Sequence, residues 1–131
     1  MGRLSPVVAI ALIVAIPDVS RALTLQREAT SGKQTVMWKY GNWQKDCSPQ
    51  VGTVRVLAKP QHGKLYPSRE TITLKYNRFS PNSTDCIGKR IPGFVVYYTS
   101  SPGFRGTDTF QIELTHPNRG ADIDNFTVQV K

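Results

Sequence analysis

Apolar and polar side chains alternate with a period of two in four separate stretches of the chain. "GTVRVLAK" sets Val54, Val56 and Ala58 against Thr53, Arg55, Leu57 and Lys59, and "TITLKY" sets Ile72, Leu74 and Tyr76 against Thr71, Thr73 and Lys75. "DTFQIELT" opposes Phe110, Ile112 and Leu114 to Thr109, Gln111, Glu113 and Thr115, and "NFTVQVK" opposes Phe126, Val128 and Val130 to Asn125, Thr127, Gln129 and Lys131. Side chains of a strand point alternately to its two faces, so each stretch predicts a strand with one dry and one wet face. That is the pattern of antiparallel sheets packed on one side, and it argues against a parallel α/β fold. Beyond residue 22, no stretch keeps a helical i, i+3, i+4 period over three turns. "TVMWKY" and "FVVYYTS" read as further strands, and residues 23–35 read weakly as strand or tail. About seven short strands predict an all-β, immunoglobulin-like antiparallel sandwich, with a small barrel as runner-up.

Where the alternation stops, prolines and glycines gather: "KPQHGKLYPS", "FSPNSTDCIGKRIPG", "SSPGFRG" and "HPNRGAD" read as turns. Pro60 and Gly63 shape the first. In "PGFRGTDTF", Pro102 fixes the entry, Gly103 and Gly106 permit φ > 0, and Phe104 can fold over the end of the core. Asp108 follows that turn and can accept hydrogen bonds from nearby backbone N–H groups, pinning the loop to the strand.

The first residues change the setting. Arg3 precedes an apolar run from Val7 to Ile16, then Pro17 and Asp18, with small residues at Ser20 and Ala22. The run is about half the length that crosses a bilayer as a helix, so residues 1–22 are expected to be a signal peptide and residues 23–131 a single domain. Export to the periplasm or cell exterior follows, with no transmembrane segment after cleavage. Cys47 and Cys86 would leave the reducing cytoplasm, which favours one disulfide over two free thiols.

The order "KPQHG", "VVYYTSSPGF", "RGTDTFQIEL" and "FTVQV" resembles the bacterial Ig-like and cadherin-like domains of exported and surface proteins, over residues 51–131. The resemblance implies a sandwich in an adhesive or structural context. The chain departs from that pattern in its cysteines, in the insertion "RFSPNSTDCIGKR" and in the turn "THPNRGAD", and it has no tryptophan between Cys47 and Cys86.

Candidate chemistry concentrates in "VMWKYGNWQKDC", where Trp38, Tyr40 and Trp43 are interleaved with Lys39 and Lys45. Trp38 and Tyr40 share a strand face, and an exposed face of this kind stacks on sugar rings or bases; a buried one is core, with Trp43 over the disulfide. The net charge is +8. Arg55, Lys59, Lys64, Lys75, Arg78 and the pair Lys89-Arg90 fall mostly on wet faces or loops, suiting an anionic polysaccharide or envelope surface. No motif supports sequence-specific nucleic-acid recognition. His62 and His116 lack cysteines or carboxylates at ligand spacing, and Asp108, Asp122 and Asp124 are too few for a calcium site, so no metal or cofactor is expected. "NST" and "NFT" match glycosylation acceptors at Asn82 and Asn125 but are not expected to be used, since Asn125 opens a strand. No nucleophile elbow, phosphate loop or His-Glu-x-x-His is present, so no enzyme is expected. The chain reads as an exported binding or structural module with a basic, aromatic face; the alternative is a protein-interaction subunit that adds an edge strand to an assembly.

Overall fold

The computed structural model describes residue 2 and residues 22–50, 52–78, 80, 82–117 and 120–131. Apart from residues 2 and 22, the expected signal peptide lies outside these. Among the described residues run nine strands: β1 (Ala22–Ala29), β2 (Thr35–Tyr40), β3 (Asn42–Trp43), β4 (Pro49–Gln50), β5 (Thr53–Ala58), β6 (Gly63–Thr73), β7 (Arg90–Ser100), β8 (Gly106–Thr115) and β9 (Ala121–Val130). They form a four-stranded sheet β1-β9-β8-β5, a three-stranded sheet β2-β7-β6 and a two-stranded ribbon β3-β4. The fold is an all-β sandwich of nine strands rather than about seven, the additional ones being the two-residue β3 and β4. Among the described residues no helix is long and apolar enough to cross a membrane.

The core between the two large sheets follows from the alternation. Phe110, Ile112 and Leu114 of β8 and Phe126, Val128 and Val130 of β9 are buried with Val96 and Tyr98 of β7. Phe110 pairs with Phe126 across β8 and β9, with ring centroids 4.6 Å apart and planes 10° from parallel. Such a pair adds about 1 kcal/mol beyond the area it buries.

Two inward positions differ from the sequence expectation. Ala58 is exposed because the β5–β8 register shifts between Val56 and Ala58, turning the last side chain outward. Tyr76 is 56 % exposed because β6 ends at Thr73 and its period stops there. One pairing also departs from the antiparallel expectation: β1 lies parallel on β9, from Ala22 opposite Ile123 to Ala29 opposite Val130. The chain leaving β1 crosses to the other sheet instead of forming a hairpin, so nothing forces it to run antiparallel to its neighbour. That crossing is held by hydrogen bonds from Ser31 N to Lys131 O (2.8 Å) and from Gly32 N to Ser100 Oγ (2.9 Å).

The three-stranded sheet is packed along its inner face and, at one end, on its outer face as well. Val96 and Tyr98 point into the sandwich, whereas Ile91 and Val95 point outward and form a second cluster with Ile72, Leu74 and Cys86, against which Trp43 packs. Cys47 and Cys86 are disulfide-bonded with Cα atoms 5.4 Å apart, tying the β3–β4 loop to the β6–β7 connection over one end of that outer face. Gly41 lets the chain pass close beneath: a Cβ there would lie 2.8 Å from Ile72 Cδ1 and 3.2 Å from Ile91 Cδ1.

The "PGFRGTD" turn has the sequence and hydrogen bond of a type II turn. Phe104 N donates to Ser101 O at 3.1 Å, Pro102 and Gly103 occupy the central positions, and Gly103 has φ of 83°. Gly106 has φ of 134°, and Phe104 stacks on His62 at 4.2 Å, linking this turn to the "PQHG" turn. Asp108 accepts from Gln61 N and His62 N at 3.1 Å each, from Thr109 N at 3.0 Å and from Tyr98 Oη at 2.8 Å. It pins the neighbouring turn around Pro60 as well as its own strand. Gly63 serves that turn by close approach, since a Cβ there would sit 2.6 Å from Tyr98 Cε2.

Candidate functional site

A cleft of about 540 Å³ opens between residues 38–43, where β2 passes into β3, and residues 71–78, the end of β6 and the segment after it. Its aromatic lining is Trp38, Tyr40, Trp43 and Tyr76, and its cations are Lys39, Lys75 and Arg78. Asn42, Gln50 and Asn77 add side-chain amides, and no carboxylate lines it among the described residues. The volume lies within the range that encloses small ligands.

The aromatic side chains are held differently. Tyr40 is 3 % exposed and belongs to the main core, while Trp38 is partly buried beside it, ring centroids 6.4 Å apart. The two share the inward face of β2, as expected, but that face does not lie open: Arg27 of β1 sits 4.8 Å from the centre of the Trp38 ring. Its Nε also donates to Met37 O at 2.8 Å, at the bulge between Val36 and Trp38. Trp38 thus joins the two sheets at one edge of the sandwich and reaches the cleft with only part of its ring. Trp43 packs against the outer cluster that includes the disulfide, and Tyr76 is largely in solvent.

A buried ionic network lies behind the lining residues Tyr40 and Arg78. Arg78 Nη1 donates to Asp124 Oδ2 at 2.7 Å and Nη2 to Asp124 Oδ1 at 2.9 Å, while Tyr40 Oη donates to Oδ2 at 2.8 Å. Burial alone would weaken the Arg78 proton's hold, but the hydrogen bonds and charge of Asp124, with the charge of Asp122, keep the guanidinium above its ordinary pKa. Burial, then the charge and hydrogen bond of Asp124, push the Tyr40 hydroxyl far up, so it stays protonated. Beside this network the buried His116 Nε2 and Asp122 Oδ2 lie 2.6 Å apart. Asp122 and Asp124 occupy the inward row of β9 with Phe126 and Val128, so they serve an internal network. Among the described residues no three His, Cys, Asp or Glu side chains gather as a metal site.

Of the residues expected to bind, the structure brings together Trp38, Lys39, Tyr40 and Trp43. Lys45 is exposed on the β3–β4 loop, and Lys89 and Arg90 are exposed where β7 begins; none lines the cleft. Gln50, Tyr76 and Asn77 come from segments that only the fold brings to the cleft, and Asn42, though inside the aromatic stretch, carries no pattern in sequence that marks it as lining. Lys75 and Arg78 had drawn notice only as charges.

No protein-family model and no curated protein matches this chain. A solved structure, the solution structure of amebosin, is similar to it over 86 % of this chain and 98 % of that chain, at 11 % identity and a TM-score of 0.45. A likeness at that level supports no inference about function.

Proposed function

We propose that this chain is an exported, non-enzymatic binding module of the bacterial cell envelope that holds an anionic polysaccharide in the cleft between residues 38–43 and 71–78. The observation that carries the reading is the lining itself: Trp43, Tyr76 and part of Trp38 with Lys39 and Lys75 around about 540 Å³, and no carboxylate among the described residues. Aromatic rings stack on the apolar faces of pyranose rings, amides satisfy hydroxyls, and lysines attract carboxylate or sulfate groups. Asp124 already neutralises Arg78, which leaves Lys39 and Lys75 as the cations for a ligand. The resemblance to Ig-like and cadherin-like domains of bacterial surface proteins agrees with an envelope role.

On the three-stranded sheet, edge-strand pairing with a protein partner finds less support. Pro67 sits within the edge strand β6 and has no N–H to offer, and the β2 edge is interrupted by its bulge, where Arg27 already uses the Met37 carbonyl.

The test is titration of purified residues 23–131 with oligogalacturonate while tryptophan emission is recorded, at low and physiological ionic strength, with a neutral glucan as control. Binding that shifts the emission, weakens with salt and is lost in Trp43→Ala supports the reading. No binding at low salt, or equal binding of the neutral glucan, overturns it.

A further inference from the structure

The outer face of the β2-β7-β6 sheet is only half covered. At one end the disulfide-linked segments lie over Ile72, Ile91 and Val95. At the other the sheet register places Val36, Tyr97 and Tyr66 side by side across three strands. Val36 is 42 % and Tyr66 61 % exposed, a high value for aromatic surface on a sheet that otherwise buries its large side chains.

The two tyrosines form one surface, with ring centroids 6.4 Å apart and planes within 29°. Tyr97 is fixed: its hydroxyl donates to Glu70, 2.9 Å from Oε1 and 3.2 Å from Oε2. That bond leaves the Tyr97 ring little freedom to turn, so its face is presented at small entropic cost.

Charge brackets this surface. The row on the cleft side holds Lys39 opposite Val95, and the row on the far side holds Lys64 opposite Thr99, each about 7 Å from the tyrosines along the strands. Lys39 also lines the cleft. Lys39, the Tyr66–Tyr97 pair and Lys64 therefore form a path from the cleft across the open half of the sheet, with the Glu70 carboxylate beside it held by the Tyr97 hydroxyl.

We propose that the anionic glycan held in the cleft continues over Lys39 onto the Tyr66–Tyr97 surface and ends near Lys64, so that this chain recognises an extended polymer rather than a terminal unit. The inference rests on the reading of the cleft. Its ligand is the same acidic polysaccharide, selected here by length.

The experiment compares oligogalacturonates of two lengths, a trimer and a chain of about ten units, on residues 23–131 and on the variants Tyr66→Ala and Trp43→Ala. With an additional stacking surface, the wild-type protein binds the longer chain roughly tenfold more tightly. Tyr66→Ala, a change at an exposed position, removes that advantage and leaves trimer affinity unchanged, whereas Trp43→Ala weakens both. Equal affinity for both lengths in the wild type, or wild-type affinity for the long chain in Tyr66→Ala, overturns the proposal while the cleft reading stands. Absence of binding at either length overturns both. Sedimentation velocity supplies the remaining arm: a dimer that Tyr66→Ala converts to monomer would make this face a contact between copies and overturn the glycan path.

Discussion

Arg78 grips Asp124 with both terminal guanidinium nitrogens, at 2.7 and 2.9 Å, and the Asp124 side chain is only 2 % exposed. Removing one partner of a buried, hydrogen-bonded pair leaves the other charge without compensation. Asp124→Ala is therefore expected to destabilise the fold by about 3–5 kcal/mol. Arg78→Lys should cost less, because lysine keeps the charge but cannot form the fork. Urea unfolding of the two variants checks the order; equal stability of Asp124→Ala and wild type would remove the network from any structural role.

Asp108 joins two turns and a core tyrosine through four accepted hydrogen bonds. Asp108→Asn keeps the shape but turns one acceptor oxygen into an NH2 group facing N–H or O–H donors. Leaving buried donors unsatisfied costs about 1–3 kcal/mol. Hydrogen exchange gives the sharper readout: the amides of Gln61 and His62, which donate to Asp108, should lose protection before those of the β8–β9 pairing do. Uniform loss of protection would count against a local pin.

Stability should decline in alkali. Tyr40 and Tyr98 are both held protonated, first by burial; Tyr40 next by the charge of Asp124 and Tyr98 by its hydrogen bond to Asp108. In the unfolded chain both titrate near the ordinary tyrosine value of 10.0, so above that pH the unfolded state binds fewer protons than the folded one. The contribution is complete below pH 10 and falls as pH rises, by about 1.4 kcal/mol per pH unit per tyrosine. Urea midpoints at pH 9, 10 and 11 measure the slope, and Tyr40→Phe should reduce it by about half. An unchanged slope in that variant would show that Tyr40 ionises as freely folded as unfolded.

The strands β8 and β9 could be read from the sequence because their alternation is strict and their inward residues are apolar. The same period, carried back along β9, would have placed Asp124 and Asp122 in the buried row. What hides this in sequence is their partners: Arg78 lies 46 positions from Asp124 and Tyr40 lies 84. A buried acid is credible only when its compensating charge is known, and that is a property of the fold. Half of the cleft was legible for a similar reason. Trp38, Lys39, Tyr40 and Trp43 are local in sequence, whereas the facing wall depends on β6 ending at Thr73 so that Tyr76 and Arg78 leave the sheet. The parallel placement of β1 was not legible at all, since only two of its eight residues are more than half-hearted apolar anchors: Leu25, packed against the core, and the buried Ala29.

Reduction of the disulfide should separate the outer face from the main core. Closing the loop between Cys47 and Cys86, 39 positions apart, stabilises by about 4 kcal/mol in the chain-entropy model. Both half-cystines also hold φ near +67°, a region that costs non-glycine residues about 1–2 kcal/mol. Once the bond opens, both can relax, so the measured loss should be smaller than the entropic figure. Phe110 and Phe126 belong to the core between the sheets, a cluster separate from the one that includes Cys86, and should remain packed. Trp43, held against the outer cluster, should become more accessible. Acrylamide quenching with and without a phosphine reductant, alongside urea unfolding, tests this: increased quenching with a folded far-ultraviolet spectrum is expected. Unchanged quenching would mean that the β3–β4 ribbon keeps Trp43 in place without the bond, and the cleft would then not depend on an oxidising compartment.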